Sequence, residues 1–156
     1  MKRAAVLLSL LFASFCASRA QVGSTSVPGH GAISIAILPN PVVATRVSGT
    51  TYDFPFEVVV RETGGHAVDV TNVSATVFGP ANIQIGSESY DAAKINSLGY
   101  ATRVPPNGEL HYRFNPRRDV SDDRLFGSVS ADIRVDGHDE SGTAASAATR
   151  VSVTRG

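Results

Sequence analysis

The feature that most limits what this chain can fold into is an alternation of side chains. Tyr52, Phe54, Phe56, Val58 and Val60 interleave with Asp53, Pro55, Glu57, Val59 and Arg61. Successive side chains of a β-strand point to opposite faces, so the pattern builds a ribbon with one buried face. Pro55 has no N–H to offer a neighbouring strand, which predicts an edge or a bulge at that point. The same period recurs in Ile33, Ile35 and Ile37, in Leu110, Tyr112 and Phe114, in Val129 to Val135, and in Ala145 to Val153. Between Val68-Val70 and Val73, Ala75 and Val77 the apolar phase slips by one residue. A β-bulge near Thr71 and Asn72 restores the face.

Turn signals punctuate these runs. Pro39-Asn40-Pro41 stops the first ladder because proline lacks the donor that a ladder needs. Glu62-Thr63-Gly64-Gly65-His66 reads as a hairpin turn, glycine accepting the positive φ of tight turns. Phe78-Gly79-Pro80 closes the return strand, and Ile83 and Ile85 mark a short one beyond it. Ser89 to Leu98 differs: Ser89 is suited to cap, Ala92, Ala93 and Lys94 favour helix, Ile95 and Leu98 share a face, and Gly99 terminates. This predicts a short helical crossover near residues 89–98. Pro105-Pro106-Asn107-Gly108 is a turn, Asn115 to Arg124 a polar loop, and Asp136 to Thr143 the last turn. About seven strands with no long amphipathic helix between them predict an all-β, antiparallel, two-sheet sandwich.

The N-terminus follows a different rule. Lys2 and Arg3 precede the apolar run Ala4 to Ala13, and small residues stand at Ser18 and Ala20. That is the order of a cleavable export signal, too short in its apolar part for a membrane span. The expected organisation is a signal peptide over 1–20, a flexible Gly/Ser/Thr/Pro lead-in over 21–30, and a single domain over 31–154, exported to the periplasm or the extracellular space with no transmembrane span left after cleavage. Cys16 is the only cysteine and leaves with the signal, so no disulfide or cysteine metal site is expected in the mature domain. Removing Lys2, Arg3 and Arg19 from a chain with 14 basic and 14 acidic residues leaves an excess of three acidic charges. That balance argues against nucleic acid as a partner.

Two segments carry a resemblance. Phe56 to Gly65 followed by Val68-Asp69-Val70 resembles the B and C strands of bacterial extracellular immunoglobulin-like or fibronectin-III-like domains. Ile133 to Gly142 leading to Val151-Ser152-Val153 is similar to their F–G hairpin. The paired cysteines and core tryptophan of antibody-type domains are missing. The resemblance implies an immunoglobulin-like sandwich acting as a nonenzymatic binding or structural/adhesion module, with another exported or cell-surface protein as its partner and no cofactor. The alternative is a small secreted inhibitor or enzyme-accessory sandwich, for which Asn115 to Arg124 is the longest candidate loop.

No nucleophile elbow, His-Glu-x-x-His helix or phosphate-binding loop is present, and no catalytic residue is assigned. His138, Asp139 and Ser141 have the residue types of a triad, but they are neighbours in one turn. In immunoglobulin topology the B–C and F–G turns share one end of the sandwich. His66 then comes near Asp136, His138, Asp139 and Glu140, which makes these five residues the candidate ligand or divalent-metal site. The last strand, Ala145 to Val153, is a candidate for strand addition if it lies at a sheet edge.

Overall fold

In the computed structural model, which describes residues 26–156, the alternating segments become eleven strands in two sheets. The expected signal peptide, and the lead-in as far as residue 25, lie outside the described residues. One sheet has three strands, β1 (Ile33–Leu38), β4 (Phe56–Glu62) and β8 (Glu109–Phe114), antiparallel in that order. The other sheet begins with β6 (Gln84–Asp91), β5 (Val68–Phe78), β10 (Ser130–Asp139) and β11 (Ala144–Arg155). It continues through β2 (Val42–Ser48) and β3 (Thr51–Asp53) to β9 (Arg117–Asp119), and the short β7 (Arg103–Val104) also pairs with β5.

The period-two residues meet between the sheets. Ile33, Val58, Val60 and Tyr112 on one side and Val70, Val73, Val135 and Val151 on the other are all 3% exposed or less. Each such side chain removed from water contributes about 1.5–3 kcal/mol. With no disulfide among the described residues, this packing has to carry the stability.

The larger sheet curls. Its two terminal strands, β6 and β9, come close enough for Arg118 of β9 to donate to Glu88 of β6 across 2.9 Å. The seam between them is bridged by side chains and not by a backbone ladder, so the larger sheet curls into a half-barrel.

The bulge lies where the phase slip puts it. Asn72 pairs with Asp136 and Val70 with Gly137, leaving Thr71 unpaired in the ladder, its hydroxyl donating to the Asp136 carbonyl at 3.1 Å. Gly137 faces this irregularity: a Cβ there would stand 2.6 Å from the Asp69 carbonyl oxygen.

Several segments depart from expectation. The continuous Tyr52–Val60 ribbon is two strands, because Pro55 marks a crossing from the larger sheet (β3) into the smaller (β4). Glu62 to His66 is therefore an arch between sheets and not a hairpin, whereas β10 and β11 do form one. Strand β2, unmarked by any clean alternation, follows Pro41 and pairs in parallel with the end of β11, Val42 opposite Val153. That pairing reaches only Val153–Arg155, and over Ala144–Ser152 β11 is paired with β10 alone among the described residues, so most of the segment expected for strand addition has a ladder partner on one side only. The helix α1 (Ala92–Ser97) is capped by Asp91, which accepts from the Lys94 N–H at 2.8 Å, while Ser89 belongs to β6. The loop expected at Asn115 to Arg124 contains β9, and Asp136 to Asp139 complete β10, so that the last turn spans only residues 140–143. No helix among the described residues is long and apolar enough to cross a membrane.

Because the bulge leaves no room for a Cβ, Gly137→Ala is expected to destabilise the fold by about 2 kcal/mol. Urea unfolding monitored by circular dichroism measures it, and an unchanged midpoint would show that the strand relaxes freely.

Candidate functional site

Two places in this sandwich are organised beyond simple packing, and strand direction puts them at opposite ends. Where β4 and β10 end and β5 and β11 begin, two carboxylates leave solvent: Glu62 is 1% exposed and Asp139 3%. Both continue the inward phase of their strands, Glu62 after Val58 and Val60, Asp139 after Ile133 and Val135.

Glu62 Oε1 accepts from the backbone N–H of Ala32 (3.2 Å) and Gly64 (2.6 Å), and Oε2 from those of Gly65 (2.9 Å) and Asn107 (2.8 Å). Burial pushes this carboxyl up, but the four N–H donors outweigh burial and hold it below the usual carboxylate range. Asp139 Oδ1 accepts from the N–H of Ser141 and of Thr143 (both 2.9 Å) and from the Ser141 hydroxyl (2.6 Å). Its Oδ2 accepts from the Gly31 N–H (3.1 Å) and from His30 Nδ1 (3.0 Å). The Ser141 hydroxyl first, then the N–H groups of Gly31 and Thr143 and the His30 ring, hold Asp139 well below its ordinary value against the opposing effect of desolvation. Segment 30–32 is thereby fastened between two strand ends. The approach is close enough that a Cβ on Gly64 would lie 2.2 Å from the His30 carbonyl oxygen.

A shallow recess lies over this fastening, lined by Gly29, His30, His66, Asp139, Glu140 and Ser141. It brings together three of the five residues singled out from sequence: His66, Asp139 and Glu140. The other two, Asp136 and His138, alternate onto the outward face of β10, where Asp136 pairs with Arg134 at 2.6 Å. Glu140 is turned towards Arg103. Among the described residues, no three His, Cys, Asp or Glu side chains are grouped to hold one metal ion. Both oxygens of Asp139 already accept five hydrogen bonds, so a cation at this carboxylate would have to displace them. The sequence reading missed His30, which sits at the end of the expected lead-in.

His30, Ser141 and Asp139 together have the residue types of a catalytic triad, but not its relay. Ser141 and Asp139 both sit on the same ring nitrogen, Nδ1, and the serine hydroxyl lies 2.6 Å from the carboxylate, which only accepts. A triad requires the serine on one imidazole nitrogen and the acid on the other, so that the ring removes the serine proton. This arrangement ties down a turn.

The second place is a cavity of about 340 Å³ inside the curl, at the other end of the strands. Its walls come from β5 (Ala75, Val77), β10 (Ala131, Ile133), the end of β11 (Val151, Val153) and the crossing segment (Phe54, Phe56). Seven of the nine hydrophobic side chains that pack against the core while remaining only partly buried line this one space. The unfinished part of the core is thus concentrated in one place. The segment expected to be a free loop bounds it: Val120 and Leu125 line the cavity, and Asp123 fixes the short 3-10 turn Asp123–Ser128 by accepting from the Tyr52 hydroxyl (2.7 Å), from Arg155 (2.6 Å) and from Arg46. At the seam stand Glu88 and Tyr90 of β6 and Arg118 and Asp119 of β9. Burial, and then the neighbouring Glu88 carboxylate, push the Tyr90 hydroxyl up to about 12, so it stays a neutral donor at any physiological pH.

Solved structures with this fold are already known. The chain is similar to the Northeast Structural Genomics Consortium target SoR45 (TM-score 0.52, 11% identity, 82% of this chain and 90% of that one). It is similar also to a Bordetella pertussis protein assigned as ApaA (TM-score 0.50, 13% identity, 81% of this chain and 95% of that one). The CARDB domain of the PF1109 protein from Pyrococcus furiosus aligns more loosely, with a TM-score of 0.40 at 15% identity over 84% of this chain. No protein-family model and no curated relative matches the sequence. At these identities the likeness is one of fold, and it makes the chain a β-sandwich module.

The two buried carboxylates give the fold a defined response to acid. Unfolded carboxyls titrate near 4, and both groups titrate lower when folded, so their stabilisation is complete above about pH 5 and is lost as the pH falls below 4 towards the folded values. Thermal unfolding midpoints should therefore be insensitive to these two groups between pH 5 and 7 and drop steeply in more acid solution. Glu62→Gln places an amide against two N–H donors and is expected to cost about 3 kcal/mol at neutral pH. The difference from the parent, read from urea unfolding, should shrink at pH 3.

Proposed function

We propose that the protein is an exported, nonenzymatic sandwich of the immunoglobulin-like or fibronectin-III-like type that works as a binding module, with the cavity inside the curled sheet as its ligand site. The observation that carries the ligand site is the clustering of partly buried apolar side chains around one open space of about 340 Å³. Protein interiors pack like organic crystals, and a gap of this size inside one is unusual. An apolar cavity of about 150 Å³ is enough to stay dry and take up benzene, and ligand sites begin near 300 Å³.

The immunoglobulin-type assignment is supported by strand order. In that architecture strands C, F and G share a sheet and B lies in the other. Here β5, β10 and β11 are adjacent, and β4 is across the core. Export is supported by the charged, apolar and small-residue order of residues 2–20. Against a serine-triad reading stands the tied-down geometry of His30, Ser141 and Asp139, which leaves the serine hydroxyl engaged with a carboxylate.

The uncharged fluorescent probe N-phenyl-1-naphthylamine tests the reading. The full chain is expected to bind it saturably at about one equivalent. Ala75→Phe and Val129→Phe, each filling the cavity, should abolish binding while keeping the parent circular dichroism spectrum, and His66→Ala at the far end should bind like the parent. No saturable binding by the parent, or full binding by both filled variants, would overturn the cavity as the ligand site.

A further inference from the structure

The chemistry of the cavity walls and of the seam narrows the class of ligand, on the reading that the cavity is the ligand site. The walls contributed by β5, β10, β11 and the Phe54–Phe56 crossing present aromatic and aliphatic side chains and no charge. An ion in that space would lose its hydration without a partner, so the body of any occupant has to be apolar. Charged groups appear only at the seam, the other polar side chains of the lining being Ser87, Tyr90 and Ser121. There the charges are one cation, Arg118, and two anions, Glu88 and Asp119.

Arg118 is already committed to Glu88 at 2.9 Å, and Asp119 accepts from the Thr51 hydroxyl at 2.6 Å. The mouth is therefore acidic on balance, with its one positive charge matched. A carboxylate or sulfate arriving there would meet two like charges and would have to pull Arg118 from its partner. A hydroxyl needs no such exchange. It donates to a carboxylate and accepts from a guanidinium, so it can join the Arg118–Glu88 pair without breaking it. Access fits the same place. The pair is 59% exposed on its arginine and 29% on its glutamate, and no backbone ladder joins β6 to β9 behind it. Exposed ion pairs of this kind hold strands together only weakly.

We infer that the cavity takes an uncharged apolar molecule carrying one hydroxyl, which enters through the seam between β6 and β9. Its hydrocarbon lies among Phe54, Phe56, Val77, Val129 and Val151, and its hydroxyl sits at the Arg118–Glu88 pair. The acidic mouth turns away amphiphiles with an anionic head.

Competition against bound N-phenyl-1-naphthylamine with 1-octanol and with octanoate at neutral pH separates these cases, because the two differ in the head group and share the chain length. Octanol is expected to displace the probe at concentrations at least about tenfold lower than octanoate. An apolar cavity alone also prefers the alcohol, so the variant Asp119→Asn, at a carboxylate that the hydroxyl does not touch, carries the charge argument. Removing that anion while keeping the shape of the mouth should improve octanoate at least about threefold and leave octanol within about twofold. Equal displacement by the two compounds, displacement by neither while the probe still binds, or an octanoate affinity unmoved in Asp119→Asn would overturn the inference and leave the cavity standing as a binding site. Loss of probe binding in the parent would instead remove the site itself.

Discussion

A carboxylate taken out of water has to find as many hydrogen bonds as it gives up, and at one end of this sandwich those bonds come almost entirely from the backbone. Glu62 gathers N–H groups from Ala32, Gly64, Gly65 and Asn107, three stretches of chain that meet where the β1–β4 and β4–β8 ladders run out. Asp139 gathers Gly31, Ser141 and Thr143 and adds the His30 ring. Each charge is affordable only because every lone-pair direction is used, and each loop is held only because the charge is there. The start of β1, the arch between the sheets, the residue 105–108 turn and the β10–β11 hairpin depend on these two groups for their mutual placement.

The opposite end is built by a different physical rule. There the sheet bends until its outermost strands nearly meet, and the closing contact is one guanidinium–carboxylate pair instead of a hydrogen-bonded ladder. Apolar side chains that would close a core in a flatter sandwich instead surround a void. The molecule thus has a rigid end, where polar groups are fully matched, and an open end, where apolar surface is only half covered. Local stability follows such differences in burial and hydrogen bonding, and binding surfaces come from the less stable side.

Much of the strand content was legible because period two is a local property. The bulge at Thr71 shows in the phase slip, and the all-β sandwich follows from alternation and turns. The crossing at Phe54-Pro55 was hidden because both sheets present the same inward face at the junction, so the alternation runs through it unbroken. Strand β2 was hidden because its burial fades after Ala44 and its partner is the distant end of β11. The roles of Glu62 and Asp139 were written in the pattern and overridden by residue type: each lies in phase with the buried valines before it, yet a charged residue beside glycines reads as a solvated turn. His66, Asp139 and Glu140 were placed together by topology alone. The cavity left no trace, since a void is defined by the meeting of segments far apart in sequence.

The parallel pairing of β2 with β11 also sets an order of events. His30 and Asp139 are 109 residues apart, and Val42 waits for a partner at a similar remove in Val153. Among the described residues, strand β11 is the only backbone-ladder link between the β6-β5-β10 half of the larger sheet and the β2-β3-β9 half. Until it has been made, neither half can join the other and the first strands have no complete surface to fold against. Contacts this distant are slow to form, because loop closure precedes any gain. A chain of this topology completes its larger sheet only once its last strand is in place, so the C-terminal residues close a structure that the N-terminal ones begin.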